Sequence, residues 1–342
     1  MPIKIIQILP ELDIGGVERH VIDLSNELTE RGHDILVVSN GGQMQHQLSS
    51  KIQHRNLPVH KKNPFTAYFC SKKIATWVKN EGWELIHAHS RVPAWIAWFA
   101  SCSARVPWMY TAHACYSLNS GLTPLKHANA VISVSETVQK HLIDYLPSNN
   151  VVVPNALPAP SIFWTPREIG DVGVIKFIFV GRLTEIKGLQ TVIEAFGRIV
   201  EHDWTLDVLG DGPMADELKK LARGLEIGDK ISFHGYSDQS DEYMAKSDCL
   251  LFPSYSEGMP LTLVRAVQIG IPVIASSIPP VIEMAGSVEG LLSPGDTEAW
   301  SDSITAFINT KMTAVNIPIS NIPTFDKMIC SNESIYLDLV RK

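Results

Sequence analysis

An acid, a glycine and a proline stand close together at Glu257, Gly258 and Pro260, between two stretches of opposite character. Residues 249–253 before them are apolar enough for a buried strand. Residues 261–270 after them carry apolar side chains at helical spacing, and residues 272–276 read as the next strand. Pro260 falls at or near the first helical position, where its missing N–H costs nothing. The N–H groups of Gly258, Met259, Leu261 and Thr262 then crowd a helix start that carries partial positive charge. A phosphate suits that spot, and a carboxylate beside it accepts hydrogen bonds from hydroxyls. One end for phosphate and one for hydroxyls describes a nucleotide-sugar site.

A second group of chemically capable residues follows an earlier strand. Gly181 allows close backbone approach, and Arg182 and Lys187 flank a loop that opens a helix. A bidentate guanidinium and a point-charge ammonium are what a diphosphate needs. Glycines recur at 210 and 212 after another strand, resembling a dinucleotide fingerprint, but no acid ends a following strand where that fingerprint needs one. That stretch reads as a tight strand-to-helix turn. His113 ends a strand pattern, and His87 with His89 ends another; their spacing puts His87 and His89 on one face. No third metal ligand is evident beside them, so no metal is expected. Glu18, just after Gly15 and Gly16, reads either as a group that orients an acceptor hydroxyl or as a first-turn acid favoured by the helix dipole.

The elements that must position these residues alternate. Strands are expected at 3–9, 34–39, 85–88, 108–111, 130–133 and 151–153, with helices between them, the first over about 17–31. The Pro-rich run 154–160 breaks the pattern and reads as a linker. Beyond it, strands are expected at 176–180, 205–209 and 231–234, and helices at 189–201, 214–225 and 241–246. A last helix at 326–340 is expected to pack back on the first domain. Alternating apolar strands and helices mean α/β architecture, with two Rossmann-like, doubly wound units of parallel sheet. The expected domains are 1–157 and 158–325, with a cleft between the carboxyl ends of the two sheets.

Composition narrows the function classes. The chain has 342 residues, 45% hydrophobic and 19% charged, which suits a soluble protein with ample core. No apolar run approaches membrane length and no signal peptide is evident, so a cytoplasmic location is expected. The five cysteines lack any Cys-x-x-Cys pairing and read as reduced thiols. A net charge of −7 argues against general nucleic-acid binding. It is unevenly spread, at +3 over residues 1–157 and −10 over the rest.

The set Gly15-Gly16, His113, Gly181-Arg182 with Lys187-Gly188, residues 210–213, and Glu257 to Pro260 resembles family 4 of the glycosyltransferases. These are retaining enzymes of the GT-B architecture. The resemblance implies that Arg182 and Lys187 neutralise the donor diphosphate as the glycosidic bond breaks, without a metal. It implies that Glu257 accepts from hydroxyls of the transferred sugar. The backbone from Gly258 through Met259, Pro260 and Leu261 to Thr262 would hold sugar and phosphate. Gly15 and Gly16 would admit the donor phosphate and acceptor, Tyr236 would lie at the nucleobase, and His113 would meet the sugar's primary hydroxyl. Glu18 and His89 would face the acceptor. No cofactor is implied beyond a nucleotide-diphosphate sugar, expected to be a UDP-sugar. The implied acceptor is a glycan or lipid-linked glycan of a bacterial surface polysaccharide.

One position departs from the family. A second acid that binds ribose is usual eight residues after the first, and here that position is Arg265, which has donors only. Arg265 is expected to reach phosphate or a base carbonyl instead. The departure also admits a non-catalytic partner subunit of the same fold; within enzymes the alternative is a sugar-nucleotide epimerase. Residues 60–79 mix five lysines with Phe65, Tyr68, Phe69 and Trp77. That stretch reads either as a face for an anionic membrane or as an ordinary helix with its aromatics in the core.

Overall fold

Short runs of branched apolar residues with no room for a helical period make strands, and helices of amphipathic sequence cover them. The structure, a computed structural model, describes residues 2–166, 173–199, 202–313 and 315–341. The chain divides into two units, residues 1–158 with 323–342 and residues 159–322.

The first unit opens with β1 (Lys4–Ile8), α1 (Gly16–Glu30), β2 (Asp34–Ser39), β3 (Gln53–Asn56) and α2 (Pro64–Glu81). It continues with β4 (Leu85–His89), α3 (Arg91–Ala104), β5 (Trp108–Ala112), β6 (Ala130–Ser133), α4 (Glu136–Leu142) and β7 (Asn150–Val152). All seven strands are parallel, in the order β3-β2-β1-β4-β5-β6-β7. Sequence order reverses direction between β1 and β4, so the loops after those strands splay apart and leave room at their carboxyl ends. Local chemistry marks the helix ends. Asn63 caps α2 by accepting from the N–H groups of Phe65 and Thr66, Pro64 takes the first turn, and Gly82 closes the helix at φ 72°.

The second unit contains β8 (Ile175–Val180), α5 (Leu189–Phe196), β9 (Trp204–Leu209), α6 (Ala215–Gly224), β10 (Ile231–Gly235) and α7 (Ser240–Lys246). Then come β11 (Cys249–Phe252), α8 (Leu261–Ile269), β12 (Val273–Ala275), α9 (Pro279–Ala285) and α10 (Thr297–Thr310). Its parallel sheet runs β10-β9-β8-β11-β12, with the switch between β8 and β11. The expected helix at 189–201 is shorter: it stops at Phe196, where Gly197 caps it, and residues 200 and 201 lie outside the described residues.

The last helix, α11 (Phe325–Val340), belongs to the first unit. It buries Met328, Ile329, Tyr336 and Leu339 in the core that β1, β2 and α1 also build. Arg31 bonds Asp326 and Glu333 of this helix, at 2.5 and 3.0 Å, and fixes its orientation.

Candidate active site

In the second unit, the loop from β8 to α5 and the loop from β11 to α8 leave the sheet on either side of its switch point, and contacts between them are dense. The Tyr255 N–H donates to the Ile186 carbonyl at 2.8 Å, and the Tyr255 hydroxyl meets Thr191 Oγ1 at 3.0 Å. Gly188 sits at φ 70° with the Pro253 carbonyl oxygen where a Cβ would stand, so that any Cβ there would overlap that oxygen. Gly188→Ala is therefore expected to force the two loops apart, lowering the melting temperature by several degrees and weakening nucleotide binding at least tenfold. Calorimetry of the variant reads both. The packing of these loops brings the Lys187 ammonium 2.5 Å from Glu257 Oε1, and Ser254 Oγ donates to the same oxygen at 2.8 Å. An ammonium and a carboxylate expected to serve one ligand thus occupy one spot, both mostly shielded from water. Arg182 stands exposed on the same loop, with no ion pair among the described residues.

The glycines at 210 and 212 also acquire a reason. A Cβ on Gly210 would strike the Gly181 carbonyl, and one on Gly212 the Leu183 carbonyl. They are close-approach residues of a tight turn after β9, as their sequence context suggested. At the start of α8, Pro260 is the cap residue, and the N–H groups of Gly258, Met259 and Thr262 have no backbone acceptor among the described residues. Leu261 instead donates to the Met259 carbonyl at 3.0 Å. Tyr236 directly follows β10 and is 39% exposed. Arg265, expected at the nucleotide, turns toward α7 instead: its Nε lies 3.4 Å from Asp241 Oδ1, and its Nη1 donates to Gln268 at 3.1 Å.

In the first unit, Gly15 is extended and Gly16 opens α1, with the Glu18 carboxylate folded back over Gly15. A side chain on Gly15 would meet that carboxylate, so the bare backbone is what lets Glu18 lie there. Ser90, immediately after β4, has φ 79°, an uncommon conformation for a residue with a Cβ.

His113, expected to meet the sugar's primary hydroxyl, is not on an open surface. It is 8% exposed and turned into a cluster with His20 of α1 and His87 and His89 of β4. Its Nε2 meets His89 Nδ1 at 2.9 Å and its Nδ1 meets Asn155 Nδ2 at 3.3 Å. Burial holds all four imidazoles neutral: His20 is lowered to about 4, and the other three well below the ordinary histidine value. Ligand atoms of His20, His89 and His113 lie within 4.8 Å of one another. The 2.9 Å between two of them is a hydrogen bond. Two nitrogens on one tetrahedral zinc would stand about 3.3 Å apart, given bonds of about 2.05 Å. Gln7 and Tyr336, which complete this cluster, drew no attention in the sequence. A lone glutamine inside the apolar run of β1 was the available signal.

Family models match most of the chain: "Glycosyltransferase Family 4" over residues 14–159 and "Glycosyl transferases group 1" over residues 168–318. The chain is a group 1 glycosyltransferase of the family 4 type. A glycosyltransferase from Rickettsia africae superposes with a TM-score of 0.83, at 22% identity over 100% of this chain and 99% of that one. Anabaena HepE in complex with UDP and glucose superposes at 0.79, with 18% identity over 99% and 100%. These likenesses give this glycosyltransferase the GT-B fold of two Rossmann-like units. Among curated relatives, the N-acetyl-alpha-D-glucosaminyl L-malate synthase of Bacillus anthracis is 24% identical over 96% of this chain and 95% of its own. The O-antigen biosynthesis glycosyltransferase WclY of Escherichia coli is 34% identical over a shorter stretch, 30% of this chain and 28% of its own. Arg182, Lys187 and Glu257 thus stand in a transferase.

Proposed function

We propose that this glycosyltransferase transfers a sugar from a UDP-sugar, with retention of configuration, to a glycan or lipid-linked glycan of a bacterial surface polysaccharide. The observation that carries this reading is the meeting of Lys187 and Glu257 across the β8 and β11 loops, beside N–H groups at the start of α8 that have no backbone acceptor among the described residues. On that reading Lys187 and Arg182 take the diphosphate and the charge that grows on its leaving oxygen. No metal is needed at that point, because two cations supply the same field. Glu257 passes from the ammonium to sugar hydroxyls, and the N–H groups of Gly258, Met259 and Thr262 hold the remaining oxygens. The departing phosphate then draws the proton from the acceptor hydroxyl, which attacks from the same face. The relative from Anabaena, named with UDP and glucose, and the WclY relative, named for O-antigen biosynthesis, support the donor and the pathway class.

The test is calorimetry with UDP and other nucleoside diphosphates. UDP at about 100 times its dissociation constant is expected to stabilise the fold by about 2.7 kcal/mol, read as a raised melting temperature. A shift with another diphosphate alone would replace the donor, and no shift with any would remove the donor reading.

Peripheral membrane attachment belongs to the same proposal. No described helix is long and apolar enough to cross a membrane. The aromatics of α2 are not in the core as an ordinary amphipathic helix would have them. Phe65, Tyr68 and Phe69 are 85%, 59% and 58% exposed, and Lys61, Lys62, Lys72 and Lys73 beside them are exposed too. Apolar rings with a fringe of ammonium groups match an anionic lipid surface. The protein is expected to sediment with anionic phospholipid vesicles, less so as salt rises. Phe65→Ser with Phe69→Ser should abolish sedimentation, and unchanged sedimentation of that variant would remove the assignment.

A further inference from the structure

Ser254 and Glu257 stand three residues apart, the spacing of a serine that caps a helix and an acid that bonds back to it. The structure gives the pair a different use. No helix follows Ser254 directly, since α8 starts at Leu261 with Pro260 as its cap residue. The Ser254 hydroxyl donates instead to the side chain of Glu257, 2.8 Å from Oε1. Ser254 is 1% exposed, so it meets no ligand itself. Its backbone is clamped from both sides. The Pro253 carbonyl oxygen stands where a Cβ of Gly188 would be, and the Tyr255 N–H donates to the Ile186 carbonyl at 2.8 Å. Both clamps lie on the loop that carries Lys187.

Two donors converge on one atom. Lys187 Nζ lies 2.5 Å from Glu257 Oε1, the same oxygen that Ser254 bonds. A carboxylate oxygen offers about two lone-pair sites, so Oε1 is filled. Oε2 has no hydrogen-bond partner among the described residues and is open to solvent. One oxygen of Glu257 is therefore anchored to the fold and the other is left for a ligand. The two anchors differ in kind. Lys187 brings a charge, and a diphosphate competes for it. Ser254 brings one neutral O–H, buried where no phosphate reaches it. As the ammonium is drawn to a diphosphate, the serine keeps Oε1 in place. The Glu257 side chain is 12% exposed, and a carboxylate so shielded needs a donor. Without Ser254 that donor is Lys187 alone, and the carboxylate holds back the charge that the diphosphate needs.

We infer that Ser254 is a positioning residue of the transfer reaction: its hydroxyl anchors Glu257 Oε1, and so keeps Oε2 turned to hydroxyls of the donor sugar while Lys187 serves the diphosphate. This assignment rests on the proposed donor reading and adds to it a residue that touches no substrate. Loss of the anchor weakens the sugar contact more than the phosphate contact, because the sugar meets the misdirected carboxylate itself.

Calorimetry on the full-length protein tests this, with UDP, UDP-glucose, UDP-galactose and UDP-N-acetylglucosamine as probes. The readout is the affinity of the tightest-binding UDP-sugar divided by that of UDP, whatever its wild-type value. In Ser254→Ala the ratio is expected to fall by about tenfold, the loss of one hydrogen bond to a charged group. A serine that only supported the loop would weaken both ligands alike and leave the ratio where it was. That outcome, or no change with either ligand, overturns the inference.

Ser254→Cys separates the hydrogen bond from the packing. It fills the same space, but its S–H is a weak donor, so the ratio should be low in this variant too. A wild-type ratio in Ser254→Cys would show that filling the space is enough, and overturns the inference. The same variant replaces Ser254→Ala should that one not fold. A wild type that binds none of the UDP-sugars removes the donor reading, and this assignment with it. Wild-type binding with an unchanged ratio in the variants removes this assignment alone.

Discussion

Lys187→Ala is expected to lower kcat by about two to three orders of magnitude, the cost of removing one fixed charge from a developing oxyanion. The ammonium sits 2.5 Å from Glu257, and that contact settles its position. Arg182→Ala should fall by a similar factor for a different structural reason. Its side chain is exposed and has no ion pair among the described residues, so its removal should leave the melting temperature where it was. Lys187→Ala strips one partner from a mostly buried carboxylate, leaving Ser254 Oγ as the described hydrogen-bond donor to Glu257, and should cost some stability as well. Lys187→Arg will not restore the rate, because a planar fork cannot occupy the place of a compact ammonium held by Glu257. Initial rates at saturating UDP-sugar, with circular dichroism to confirm folding, decide the matter. Wild-type rates in both alanine variants would remove the electrostatic role.

Much of this arrangement was legible before the fold was known, and the reasons differ by element. β2 and β6 were found with their observed ends, because they are mostly apolar runs bounded by turn residues and, Asp34 apart, buried in a parallel sheet. β3 was not found. Its sequence is Gln-His-Arg-Asn, and it is a strand only because β2 offers an open edge to pair with. The helix α9 begins with two prolines, which the first turn tolerates because its N–H groups need no helical partner. At the loops after β8 and β11, residue types and their place after parallel strands made Arg182, Lys187 and Glu257 candidates, and the family resemblance gave them their roles. What the sequence could not show was the bond between Lys187 and Glu257, or the capture of Arg265 by Asp241, because both depend on side-chain direction across loops. The histidine cluster was hidden for a related reason. His87, His89 and His113 were visible as strand-end residues, but His20, Gln7 and Tyr336 come from α1, β1 and α11, and no local pattern links them.

That cluster is expected to make the first unit acid-labile, and the sign follows from burial. A histidine whose folded pKa lies below its unfolded value of about 6.5 gives stability that is complete above that value and is lost as pH falls toward the folded one. His20 is lowered to about 4, and His87, His89 and His113 lie well below the ordinary value; burial is the main cause for each, and the other electrostatic influences on them are mutual. Each such ring should cost about 1.4 kcal/mol per pH unit below 6.5, so about 2 kcal/mol by pH 5. Four rings together approach about 8 kcal/mol, within the total stability of an ordinary domain. Carboxylates that are paired in the fold, such as Glu333 with His33, act only at lower pH, because the carboxyl group of Glu333 is held below its usual range. The urea midpoint is therefore expected to fall steeply between pH 6.5 and 5, before those carboxylates contribute. His20 isolates the effect: neither ring nitrogen has a hydrogen-bond partner among the described residues, so His20→Leu removes a titrating group and breaks no bond. The variant should lose about one proton of the pH dependence and stay folded to lower pH than the wild type. A flat urea midpoint from pH 7.5 to 5 in the wild type, or an acid midpoint unmoved by His20→Leu, would show that the buried rings do not set it.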